Sequence, residues 1–134
     1  MIGFAALLLL VQSNAELPPL PLSPAEPLLS YMGCLMEPAA ARVRAGLPAD
    51  RPSREAAAQE ILAGCAAVRR SVASAAFHRS ESLPSIADQQ ARRDLIEAYL
   101  QRFESGMRHM VVEFEAFAAE SDAFCRERGE PPGC

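Results

Sequence analysis

The apolar positions of this chain fall into five blocks: an unbroken N-terminal run, a proline-rich stretch, and three segments with helical spacing. In the first helical segment, Leu28, Met32, Leu35, Ala39 and Val43 recur at steps of three and four, the signature of one buried helix face. It should start near Ser23 or Pro24 and run to Ala45. Pro38 removes a backbone hydrogen bond to Cys34, so a kink or restart is expected there. Gly46 to Pro52 (GLPADRP) reads as a turn, with Gly46 suited to follow the helix end. The second segment, from about Ser53 to Ser80, carries a stripe of Ala58, Ile61, Cys65, Val68, Val72 and Ala75.

The third segment has the clearest pattern. Ile96, Leu100, Phe103, Met107, Met110, Phe114, Phe117, Ser121 and Phe124 alternate in steps of four and three, and only Ser121 is polar. A repeat of 3.5 residues favours nearly parallel packing against a partner helix. Ser85 with Asp88 resembles a capping box, and Gly106 lies off the seam, where it can bend the helix without ending it. One helix from residue 86 to about 125 would be roughly 60 Å long, against about 42 Å for the second. Two shorter partners cannot fully cover such a seam, so either the chain dimerises or the first helix and the tail wrap over the overhang; a homodimer through the third helix is the expectation, unless the helix breaks at Gly106. The fold class read from this pattern is all-α: a three-helix antiparallel bundle with a kinked first helix and a long third one.

The N-terminus changes where such a bundle would live. Ile2 to Val11 is apolar throughout, about half the ~20 residues that span a bilayer. Small residues at Ser13 and Ala15 follow, as signal peptidase requires, although no basic residue precedes the run. Residues 1–15 therefore read as a signal peptide, which makes the chain periplasmic or secreted with no stable membrane insertion after cleavage. Residues 16–27 hold five prolines between positions 18 and 27 and should be extended. Residues 28–134 form a single helical domain.

Export gives the four cysteines a role, since four Cys in an exported chain suggest two disulfides. Cys34 lies about as far before the first turn as Cys65 lies after it, so an antiparallel hairpin brings them level. Cys125 ends the third helix, and Gly129, Pro131, Pro132 and Gly133 let Cys134 turn back to it. The expected pairing is Cys34 with Cys65 and Cys125 with Cys134. No CxxC is present, and separations of 31, 60 and 9 do not suit zinc.

Composition narrows the function more by exclusion than by assignment. The net charge is −4, and all basic residues are Arg. The Arg pairs 42/44, 69/70 and 92/93 form no stripe, which speaks against nucleic-acid binding. No GxSxG elbow or phosphate-binding Gly loop occurs. The one constellation with chemical potential is His109 four residues before Glu113 on one helix face, with Glu60 of the second helix at a similar level. Such a set could hold a metal or exchange protons, and accidental placement on a solvated face is the commoner origin. His78 suits a helix C-terminus. No catalytic, cofactor or metal residue is assigned. In size, export and cysteines the chain resembles small exported helical proteins of bacteria. The expected function is non-enzymatic protein–protein contact; the alternative is carriage of an apolar small molecule within the bundle.

Overall fold

A computed structural model describes residues 20–81 and 88–134. The signal-peptide segment, residues 16–19 of the proline-rich stretch and Ser85 lie outside them. Among the described residues the chain is all-helical, with four helices: α1 (Leu22–Ala45), α2 (Arg51–Ser80), α3 (Gln89–Val112) and α4 (Phe114–Glu127).

α1 corrects two expectations. It begins at Leu22, close to the start expected near Ser23 or Pro24, so the end of the stretch 16–27 is helical rather than extended, and it continues to Ala45 without restarting at Pro38. Pro24 sits in the first turn, where proline is tolerated. Pro27 and Pro38 each cost a ladder bond, but they fall between apolar anchors that hold the helix by burial. Leu28, Tyr31, Leu35 and Ala39 are all almost fully buried, and tertiary burial of one face stabilises a helix more than propensity does. Gly46 ends α1 with φ 99°, a conformation that favours glycine.

α2 opens at Asp50, whose carboxylate accepts from the Ser53 N–H at 2.9 Å, with Pro52 in the first turn. This is a standard N-terminal cap. The buried stripe follows Ala58, Ile61, Cys65 and Val72 but then turns to Ala76 and Ser80 rather than Ala75. That drift is what a 3.6-residue period imposes over eight turns. α3 is capped by Asp88 itself, which accepts from the Gln90 N–H at 3.1 Å.

The third expectation, one long helix, is overturned. The helix stops at Val112 and restarts at Phe114, with Glu113 at φ −102°, ψ 42° between them. Gly106 does not cause the break; it is buried in mid-helix. The count is thus four helices among the described residues. At 24 residues, α3 is about 36 Å long and close in length to α1. The overhang that argued for a dimer is gone, because Ile96, Leu100, Phe103, Met107, Met110 and Phe117 are buried within the chain.

Contacts show how the helices lie. Across α1 and α2, Glu26 meets Arg79, Cys34 meets Cys65 and Arg42 meets Glu60, so these neighbours run in opposite directions. Across α2 and α3, Arg54 meets the Val112 carbonyl, Glu55 meets Arg108 and Arg69 meets Glu97, again in opposite directions. α1 also packs on α3, with Tyr31 reaching Glu104. The backbone of α4 has close neighbours only in α3 among the described helices, and its side chain Glu115 reaches Arg54 of α2. The core lies between α1, α2 and α3, centred on Leu28, Leu35, Ala58, Leu100 and Met107. Disulfides join Cys34 to Cys65 between α1 and α2, and Cys125 to Cys134 at the end of α4.

Candidate functional site

Among the described residues, an open groove of about 270 Å³ runs along the α2–α3 face beside the bend at Glu113, lined by Arg51, Glu55, Ser105, Arg108, His109, Val112 and Glu113. It exists because α2 starts where α3 ends. The first turn of α2 carries Arg51 and Glu55 to the level of Arg108, His109 and Glu113. Their charges are matched across the groove: Arg108 pairs with Glu55, and Arg51 pairs with Glu113 and, at 3.6 Å, with Glu55.

His109 and Glu113 both line this groove, yet they do not form a chemical pair. His109 Nε2 lies 2.9 Å from a carboxylate oxygen of Glu120, and its ring stands edge-on to Phe117 at 6.0 Å. Residues 109 and 120 would be about 16 Å apart along a straight helix, so this contact exists only because α4 turns away at Glu113. Glu60 is elsewhere, bound to Arg42 at 2.6 Å. Among the described residues, no three His, Cys, Asp or Glu side chains are grouped to hold a metal ion. His78 is exposed at the end of α2, 3.7 Å from Glu81, where the helix dipole favours a cation.

Arg54 joins the groove to the turn behind it. Its guanidinium donates to the carbonyls of Pro48 and Ala49, both at 2.9 Å, to Val112 at 3.3 Å, and to the Glu115 carboxylate at 2.9 Å. The Pro48 and Ala49 carbonyls lie in a non-helical turn, and the Val112 carbonyl faces the interruption between α3 and α4. Such groups need partners from outside a helix, and Arg54 meets three of them at once. Hydrogen bonding to Arg54 holds the Glu115 carboxyl below its ordinary range. The same bond pushes the Arg54 guanidinium further up. A second hollow of about 220 Å³ adjoins Arg54, walled by Val43, Leu47, Pro48 and Phe114.

A separate polar cluster ties the middle of the bundle. Arg69 of α2 forks onto both oxygens of Glu97, at 2.6 and 3.2 Å, and donates to Glu104 at 2.6 Å. Glu104 accepts in turn from the Tyr31 hydroxyl of α1 at 2.8 Å. Burial, then the Glu104 carboxylate, raises the Tyr31 phenol well above its ordinary value. Hydrogen bonding to Arg69 lowers the Glu97 carboxyl.

Sequence reasoning named Arg69 only in its pair with Arg70, without joining it to Glu97 and Glu104, and it missed Arg51, Arg54, Glu55 and Arg108. A turn before Arg54 was legible. The arrival of the α3–α4 break beside it was not, because nothing local marks Glu113 as an interruption. No protein-family model, curated protein or solved structure matches the chain.

Proposed function

We propose that this is an exported helical protein that works by contact with another protein, without catalysis, its antiparallel three-helix body serving as a rigid mount for the polar surface at the bend. The groove lined by Arg51, Glu55, Arg108, His109 and Glu113 carries the reading. It is open, flanked by charges of both signs, and held in shape by mutual ion pairs. Fixed, mixed charge sets partner choice and register in protein association. Carriage of an apolar molecule has less support, because the side chains that would line its pocket, Phe103, Met107 and Met110, are packed in the core.

Export is part of the proposal. Two disulfides are compatible with an oxidising compartment, and no described helix is long and apolar enough to cross a membrane. The intact mass of the protein from its native host tests this half: residues 16–134 with both disulfides closed is the expected species, whereas an uncleaved chain or four free thiols would overturn it. Crosslinking capture tests the contact half. A partner recovered by the native chain and lost with Arg108→Glu, at unchanged helicity, is the expected result. Recovery unchanged by Arg108→Glu would remove the groove from the proposal, and nothing above background would remove the proposal.

A further inference from the structure

The apolar seam of Leu100, Phe103, Met107, Met110, Phe114 and Phe117 keeps its three-four spacing straight through Glu113. No glycine or proline lies between Met107 and Cys125. Such a sequence encodes one continuous helix, yet the chain leaves helical geometry at Glu113. Sharp bends have identifiable causes, and where proline and glycine are absent an inserted side chain is one of them. Here that side chain is Arg54, which donates to the Val112 carbonyl. In an unbroken helix this carbonyl would accept from the N–H of Ala116, four residues on. Two further contacts hold the bend from outside α4: Arg54 with Glu115 and His109 with Glu120.

We infer that Arg54 is the pin of a hinge, and that α3 and α4 have a second arrangement, a single straight helix whose α4 half docks on a second copy of this chain. α4 is held by side chains of α3 and α2 only: His109 meets Glu120 and Phe117, and Arg54 meets Glu115. The surface that receives it, on α3 and the first turn of α2, is therefore complete on any copy, and a straightened arm finds on its partner the place that the partner's own arm has left. Exchanging an identical element in this way yields a closed, symmetric dimer at little cost. The covered side chains are the same in both forms, chiefly Phe117 and its neighbours on the seam, so the balance rests on the hinge. The hinge residues Val112 and Glu113 also line the groove, so straightening reshapes it, but the inference does not rest on the contact function proposed there.

Sedimentation velocity on the full, oxidised chain tests the hinge. Arg54→Ala should move the monomer–dimer equilibrium towards dimer by about tenfold, the size expected for one charge-assisted hydrogen bond. Adding Ala116→Pro should return the protein to monomer, because proline is tolerated in the first turn of α4 but not within a continuous helix. A helical Arg54→Ala protein that stays monomeric would overturn the inference, and so would a dimer that survives Ala116→Pro. Should Arg54→Ala lose its helicity, Arg54→Lys gives the same reading more gently, since it keeps a charge beside Glu115 but cannot fork onto the Val112 carbonyl as well: a smaller rise in dimer supports the hinge, and none overturns it.

Discussion

Arg69 and Arg54 are both arginines of α2 that gather partners from α3 and beyond, but they sit in different surroundings. Arg69 works in the middle of the bundle, where its partner Glu104 is 23% exposed and also holds the buried Tyr31 of α1. Arg54 works at the end, where Glu115 is 74% exposed and the helix it holds has close backbone neighbours in α3 alone among the described helices. The first cluster links three helices that a hydrophobic core already holds, so it fixes register within a cooperative unit. The second links a core element to an arm, so it decides where that arm points. Similar chemistry thus serves cohesion in one region and direction in the other, and what separates them is the apolar burial around each.

The comparison breaks most readily in the core. Leu100 is fully buried in mid-bundle, and Leu100→Ala should cost about 2–5 kcal/mol of global stability, read from denaturant unfolding. Phe117 is also buried, but on the arm. Phe117→Ala should lower the global midpoint less while releasing amide protection in α4. Equal losses would mean that α4 unfolds with the core and that the two regions are one. The disulfides sharpen the same contrast. Replacing Cys34 and Cys65 with Ser opens a loop of separation 31 across α1 and α2, at about 3–4 kcal/mol by loop entropy. Replacing Cys125 and Cys134 releases a tail whose intervening residues are all exposed, and the global midpoint should move by less than half as much.

The central cluster has its own signature in pH. Tyr31 is neutral and its phenol is raised in the fold, so the stability it contributes is complete below its ordinary value of 10.0 and is lost as pH rises above that. Glu97 is lowered from 4.5, so its contribution is present above that value and is lost as pH falls through the range beneath it. Tyr31→Phe should cost about 1 kcal/mol at neutral pH, since Glu104 keeps Arg69. It should also flatten the loss of thermal stability above pH 10. An alkaline slope unchanged in Tyr31→Phe would assign that slope to another group.

How much of this was legible in the sequence follows from the range of the forces involved. The three-four spacing of Leu28, Leu35, Ile61, Cys65, Leu100 and Met107 reports burial directly, because a helix face and its sequence period are the same fact. The ends marked by Gly46 and Ser80 were legible for the same local reason. The start of α1 was placed near Ser23 or Pro24, close to the observed Leu22, whereas the expectation of extended chain up to residue 27 failed, because tertiary packing of Pro24 and Leu28 overrules the prolines there. The break at Glu113 was hidden more deeply, since its cause is a guanidinium from another helix 58 residues away in sequence. The groove was half visible. His109 and Glu113 could be placed on one face, whereas Arg51, Glu55 and Arg108 join them only once α2 is known to begin where α3 ends.

The smallest expected effect is the most telling about the bend. His109 and Glu120 meet at the surface, and an exposed ion pair contributes about 0–1 kcal/mol. His109→Ala should therefore leave the denaturation midpoint almost unchanged. Its effect should appear locally, as faster amide exchange in α4 from Phe117 onward, with α1 and α2 protected as before, because local opening draws on local contacts. The mutation removes both the contact with Glu120 and the ring packed against Phe117, and His109→Gln separates these by restoring a polar partner without the ring. Recovery of protection in His109→Gln would credit the polar contact, and failure to recover would credit the aromatic edge. Uniformly faster exchange over all four helices would instead make the bend part of the cohesive unit, and the contrast between Arg69 and Arg54 would reduce to a difference in exposure alone.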